Sequence, residues 1–225
     1  MSMSATNTVT CPQCQHEQDF TVWQSMNVTL DPELKEQLLS GELNAFICQK
    51  CAEKTSVAYD TLYHDMRLGL WLYLSHGDEK PGEDFSRVQS MMAKTARVPY
   101  RYRLVRNRNE LVEKILIFDA GLDDRMVEIF KLMLGQHISE QGRNVDELLF
   151  QRIGEKEGDG EGQIGFVIIS GEEQDSISVP LPTYENVAAT HAHLLPDAAT
   201  ETGTLLRVDS AYAVGLDWDG AAGKD

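Results

Sequence analysis

The sequence predicts an α+β fold in two parts. Residues 1–144 read as a cysteine-pinned ribbon with an inserted short helix, followed by a small sheet carrying an αα pair. Residues 145–225 read as an acidic, mainly β domain. Three observations predict this. All four cysteines fall in two identical pairs, Cys11-Pro-Gln-Cys14 and Cys48-Gln-Lys-Cys51. Two helical patterns with clear start and stop signals follow each other closely between Asn109 and Gly135. Beyond Asn144 the pattern turns to strands, and the charge steps from −4 over residues 1–144 (16 Lys/Arg, 20 Asp/Glu) to −12 over 145–225 (4 and 16).

Two C-x2-C knuckles present four thiolates to one tetrahedral ion, the usual arrangement of a structural zinc ribbon. A disulfide framework needs an oxidising compartment, and residues Met1 to Val9 lack the charged and apolar regions of a secretory leader. A redox pair would open a helix, whereas Cys14 leads through a polar turn into Phe20-Thr-Val-Trp23, a strand pattern, and the second pair would be left without a role. Iron–sulfur ligation also uses four thiolates. The expected ligands are Cys11, Cys14, Cys48 and Cys51, holding one Zn2+ per chain. Four protein ligands leave no open position, so the ion is read as structural, worth on the order of 10–16 kcal/mol of apparent folding free energy. His16 is read as a knuckle-surface residue.

The gap between the pairs, Gln15 to Ile47, is 33 residues, against about 15–20 in a simple ribbon. A helix fills it: Asp31 as N-cap, Pro32 at the first position, Leu34 and Leu38 on one face, Gly41 as terminator. Ser56 to Tyr59 reads as a strand leaving the site, and Thr61 to Arg67 as a connection. Leu68 to Leu74 reads as a strand covered on both faces. His76 to Glu83 is a linker and Phe85 to Ala96 a short helix. Val98 to Arg106 alternates like a half-exposed strand. Asn109 caps a helix ended by Gly121, and Asp123 caps a second, ended by Gly135. Their apolar stripes need a sheet, and Leu68–Leu74 is the expected one. Strands follow at 147–153, 163–169, 176–181 and, in two pieces, 205–218. Gly154 to Gly162 reads as a polar hairpin loop, Thr183 to Leu195 as a helix capped by Thr183.

Several of these blocks resemble the bacterial CpXC domain family over roughly residues 8–137: Cys11-Pro-Gln-Cys14, Asn27-Val-Thr29, Asp31 to Leu43, Cys48-Gln-Lys-Cys51, Tyr63-His-Asp65 and Glu113 to Arg125. The resemblance implies a zinc-ribbon-containing domain of cytoplasmic bacterial proteins and no particular activity. Gln15 and Ala52 stand where knuckles often carry glycine, at a backbone position that costs other residues energy.

Other candidate sites have plainer readings. Arg97, Arg101, Arg103, Arg106 and Arg108, with Tyr100 and Tyr102, have the composition of a nucleic-acid strip. In a chain of net charge −16 they are read instead as a solvated strand face. His191 and His193 share a face only on a strand, and a helix is expected there. Tyr63-His64-Asp65 is read as a turn in which Asp65 accepts from the backbone rather than as a proton-transfer pair. The chain carries no H-E-x-x-H, G-x-S-x-G or P-loop motif. No apolar run reaches the roughly 18–20 residues that span a bilayer. These features point to a cytoplasmic zinc-binding module that binds or scaffolds another protein, with no catalytic residues assigned and with neither nucleic acid nor membrane as partner. The alternative is an enzyme with a site between the two domains, using His64 or C-terminal carboxylates.

Overall fold

The computed structural model describes residues 1–77, 98–154, 162–197 and 205–218. The chain divides into two compact units: Met1–Arg108 with Thr202–Leu206, and Asn109–Glu201 with Arg207–Asp225. Compactness thus groups the helical pair with the acidic β region, whereas the step in charge lies after it, between residues 144 and 145.

The first unit is built on a mixed six-stranded sheet. Its strands are β1 (Met3–Thr10), β2 (Glu17–Asn27), β5 (Thr61–Asp65), β6 (Leu70–Leu74), β7 (Arg101–Val105) and β11 (Leu205–Leu206), in the order β1-β2-β5-β6-β7-β11. β1 with β2 and β5 with β6 are antiparallel; the other neighbours are parallel. Leu70, Trp71, Leu72 and Leu74 are all buried, as the run of apolar residues on both faces of β6 predicts. β7 is buried too, from Tyr102 to Val105, so it is a central strand and not a half-exposed one. Its alternating arginines disguised this: Arg103 is buried, its guanidinium donating to the Tyr102 carbonyl at 3.2 Å.

Thr61 to Asp65 forms β5 where a connection was expected. Its inward positions are Thr61, Tyr63 and Asp65, and two polar residues in three hide the buried face from a hydrophobicity reading. Between β2 and β5 lie helix α1 (Glu33–Ser40) and the hairpin of β3 (Ala45–Ile47) with β4 (Lys54–Ser56). Leu34 and Leu38 bury the inner face of α1, and Gly41 ends it at φ +86°. The N-cap is Pro32, one residue later than expected, and the Asp31 carboxylate accepts from Ser2 Oγ at 2.5 Å in place of capping the helix. Arg108 supplies the C-terminal cap, donating to Leu38 O at 2.7 Å and Leu39 O at 3.1 Å.

The second unit holds helices α2 (Arg108–Asp119) and α3 (Asp124–Glu140), the antiparallel sheet of β8 (Glu147–Gly154), β9 (Gln163–Ser170) and β10 (Glu173–Pro180), then α4 (Leu181–His191) and α5 (Ser210–Val214). Asp123 caps α3 by accepting from Arg125 N, and Gly121 makes the αα turn at φ +71°. Gly135 does not stop α3; buried Ile138 carries its apolar stripe a further turn. The expected support for the pair was Leu68–Leu74. For α3 and for Ile117 of α2 the support is β8–β10: Val127, Ile129 and Phe130 pack with Leu148, Phe150, Ile164, Phe166 and Ile168. Residues 205–218 give one two-residue strand and a helix capped by Asp209 in place of two strands. The expected Phe85–Ala96 helix lies outside the described residues, as does most of the 154–162 loop.

Candidate metal centre

The turn between β1 and β2 is the first cysteine knuckle, and the turn between β3 and β4 is the second. The two are wired alike. Cys11 N–H donates to His16 O at 2.8 Å and Gln15 N–H to Cys11 O at 3.0 Å. Cys48 N–H donates to Glu53 O at 2.9 Å and Ala52 N–H to Cys48 O at 2.9 Å. Gln15 (φ +57°) and Ala52 (φ +61°) both take the left-handed conformation that closes such a turn. Among the described residues they are the only non-glycines that do so.

Besides the cysteines, the Gln18 side chain joins the knuckles. Gln18 donates through Nε2 to Ile47 O at 3.0 Å and accepts through Oε1 from Gln49 N–H at 2.8 Å. Beneath them Cys11, Phe46 and Cys48 are buried, with Val9, Phe20 and Val57 packed around. Phe20 lies 6.2 Å from Phe46 and 6.4 Å from Tyr59, both ring to ring. A two-stranded ribbon is marginal in water by itself; here its tip is held by the cysteine cluster and this small core.

The four Sγ atoms all lie within 4.8 Å of one another. Cys11 to Cys51 is 3.7 Å and Cys14 to Cys48 is 3.6 Å. A disulfide would need about 2.05 Å. A tetrahedron with metal–sulfur bonds of about 2.3 Å has edges of about 3.8 Å, so the donor set fits a four-thiolate metal site. Electrostatics asks for a cation there. Burial works against ionising Cys48, but the amides of Cys51 and Lys50 and the Cys14 and Cys51 thiols outweigh it and bring its pKa down to about 6. Cys51 has the Glu53 amide in its favour, yet burial of its sulfur and the three neighbouring thiols push it up to about 12. Four thiolates at these distances call for a positive charge among them, which a divalent ion would supply.

The remaining candidates are committed to structural contacts, but the arginine strip is not a solvated face, since Arg103, Tyr100 and Tyr102 are buried, and Tyr63-His64-Asp65 lies on a strand and not in a turn. Asp65 Oδ1 accepts from Arg67 N–H at 2.8 Å and Leu68 N–H at 3.2 Å, closing the turn into β6. His64 lies on the opposite face, 2.9 Å through Nε2 from Tyr100 Oη, with its ring 5.3 Å from Trp71. His191 bonds Val187 O within its helix, and His193, in the 3-10 turn that follows it, bonds Thr190 O; the two rings stack at 6.4 Å. Arg106 bonds the carbonyls of Ser75 and Gly77 and Arg108 caps α1, so these two are committed to backbone oxygens. Arg97 lies outside the described residues.

Two features escaped the sequence reading. One is the Gln18 clamp, which no local pattern marks. The other is a buried charge network in the second unit. Lys114 Nζ lies 3.0 Å from Glu128 and 3.5 Å from Asp124. Lys131 Nζ lies 2.8 Å from Glu113 and 3.1 Å from Glu128, and Glu113 also accepts from Phe150 N–H at 2.7 Å. Glu113, Lys114, Glu128 and Lys131 line a cavity of about 1050 Å3 together with Glu147 and Arg207. The signal was available: in Leu111-Val-Glu-Lys-Ile-Leu-Ile-Phe118 apolar residues surround the helix, so its two charges have no solvent face to occupy.

Two knuckles joined into one four-thiolate cluster define the class: a two-knuckle ribbon compatible with a bound metal. A protein-family model described as CpXC protein matches residues 9–131, more than half of the chain, and the chain belongs to that family. The match takes in all four cysteines and the buried charges from Glu113 to Lys131. No curated protein and no solved structure matches the chain. No helix among the described residues is long and apolar enough to cross a membrane.

Proposed function

We propose that the protein is a cytoplasmic zinc-binding module that binds or scaffolds another macromolecule. Cys11, Cys14, Cys48 and Cys51 hold one structural Zn2+. The observation that carries this reading is the sulfur cluster, with S···S distances of 3.6 and 3.7 Å at the edge length of a tetrahedral four-thiolate site. Zinc supplies the positive charge that keeps four thiolates together; the knuckle amides, Gln18 and Phe46 orient them. With four protein ligands the ion has no position for substrate, so the activity is assigned to a surface. Support for a surface comes from Met3, Leu30 and Met66, exposed apolar residues set around the Asn27 turn: Ser2 Oγ accepts from Asn27 N–H, and Asn27 Nδ2 lies 3.5 Å from Met66 Sδ. Nucleic acid is a poor partner, because the strip's Arg103 is buried and Arg106 and Arg108 serve carbonyls.

Elemental analysis with visible spectroscopy tests the metal: one zinc per chain and no cluster absorbance are expected, and folded protein lacking zinc overturns the reading. Capture of a partner from the native host, lost on substituting Leu30→Ser and Met66→Ser together, tests the surface.

One observation favours a second reading. The cavity of about 1050 Å3 brings carboxylates and lysines together as an enzyme or small-molecule site does. Ligand-induced thermal stabilisation that disappears in Glu147→Gln would support it over the first.

A further inference from the structure

We propose that β1 is a pairing edge whose partner is β1 of a second copy of this chain, joining two six-stranded sheets through a two-fold antiparallel junction. This rests on the macromolecular-binding reading and names its partner.

Among the described residues β1 is the last strand of its sheet, with β2 on one side and no strand on the other. It is eight residues long, Met3-Ser-Ala-Thr-Asn-Thr-Val-Thr10, without a charge or a proline. Edges of this length are ordinarily blunted with lysine, proline or a covering element. Six of its eight side chains are exposed; only Ala5 and Val9 are partly covered.

The hydrogen-bond parity of the ribbon fixes which groups face outward. Cys11 N–H donates to His16 O, so the pair 11/16 is a bonded one. The register continues as Thr10 with Glu17, Val9 with Gln18, Thr8 with Asp19, Asn7 with Phe20 and Thr6 with Thr21. Bonded pairs alternate in an antiparallel ladder. Val9, Asn7 and Ala5 therefore bond to β2, while Thr10, Thr8, Thr6 and Ser4 direct N–H and C=O to the free edge.

A two-fold axis at Asn7 uses all four outward residues. It sets Thr6 of one copy opposite Thr8 of the other, and Ser4 opposite Thr10. Both of these bonded pairs are hydroxyl against hydroxyl, a favourable cross-strand combination, while Asn7 meets Asn7 on the axis and Ala5 meets Val9, with no like charges in contact. An isologous junction also brings unlike ends together. Met3, 56% exposed, lies at one end of the ribbon. Ile47, 53% exposed, lies at the knuckle end, where its carbonyl takes the Gln18 side chain. Antiparallel pairing carries the Met3 end of each copy to the knuckle end of the other, so the two exposed apolar ends of the ribbon are brought to the same side of the junction twice. A partner strand of another protein would need no such self-matching.

Light scattering on the eluting full chain tests this. The expected mass is twice that of one chain, with the dimer favoured as salt screens the net charge of −16. Thr6→Lys with Thr8→Lys sets like charges opposite each other across the axis and yields monomer. Thr6→Lys with Thr8→Glu sets opposite charges there and restores the dimer. Thr8→Pro deletes an outward N–H and none directed at β2, and also yields monomer. Metal content serves as the control for folding of the ribbon. Wild-type protein that stays monomeric at its highest soluble concentration overturns the proposal, as does a dimer indifferent to the double-lysine change. If the chain is monomeric but still captures a partner through Leu30 and Met66, self-pairing fails and the broader binding reading stands.

Discussion

Gln15 and Ala52 occupy the same backbone conformation at the same place in two separate turns. Each follows the second cysteine of its pair, each has φ near +60°, and each donates its N–H to the carbonyl of the first cysteine, at 3.0 and 2.9 Å. Left-handed backbone costs a non-glycine residue roughly 1–2 kcal/mol. Both knuckles are therefore held in a conformation that the local sequence disfavours, by the sulfur cluster on one side and the Gln18 clamp on the other.

Ala52→Gly removes the left-handed penalty and adds freedom to the unfolded chain, which offsets part of the gain by roughly 0.4–1 kcal/mol. The expected net is stabilisation of up to about 1 kcal/mol, read as a higher midpoint in denaturant with unchanged metal content. Ala52 is the better site for the test, because Gln15 also reaches the carbonyls of Cys11 and Pro12 with its side chain. A lower midpoint for Ala52→Gly would mean that the knuckle conformation carries no strain.

Cys48→Ser leaves three thiolates and removes a buried member of the small core. Several kcal/mol of coupled metal and folding free energy should disappear. Limited proteolysis should then cut within residues 1–56, while β8–β10, which have their own core, stay protected. An N-terminal region as resistant as in the parent protein would argue against a structural ion.

Lys114 is buried against Asp124 and Glu128. Replacing it with methionine keeps the aliphatic bulk but removes the cation that Asp124 and Glu128 share, leaving Glu128 with Lys131. Breaking one partner of a buried pair costs about 3–5 kcal/mol, and chemical denaturation of Lys114→Met should show a loss of that order. Burial raises the Glu113 carboxyl above its ordinary value even with Lys131 beside it. A variant missing Lys131 should raise it further, which titration of the variant against the parent protein would show.

Burial holds His64 below its ordinary pKa, against the opposing pull of Asp65. The folded state thus binds fewer protons than the unfolded chain just below the ordinary histidine value of about 6.5. Stability should fall as pH drops through 6.5 toward the depressed folded value and be fully present above 6.5. His64→Gln should flatten that acid-side slope of the thermal midpoint; an unchanged slope would assign the proton uptake elsewhere.

Some of this architecture was written in the chain itself. Two identical cysteine pairs announce the four-sulfur cluster, because matched C-x2-C spacings make two like turns that can face each other. Gly41, Gly121 and Asp123 mark helix ends through backbone and capping chemistry that acts within a few residues. The apolar run of β6 fixes its place at the centre of a sheet. Tertiary structure alone decided the rest. Thr61 and Asp65 make an inward face of β5 only because Thr29 and the β5–β6 turn supply partners for Asp65. Arg103 is buried because neighbours on both sides make β7 central. Gln18 clamps Ile47 and Gln49 across about thirty residues of sequence, a separation at which no local pattern operates. The helical pair went with the acidic strands and not with the step in charge, because burial of apolar area sets which elements pack, and surface charge does not.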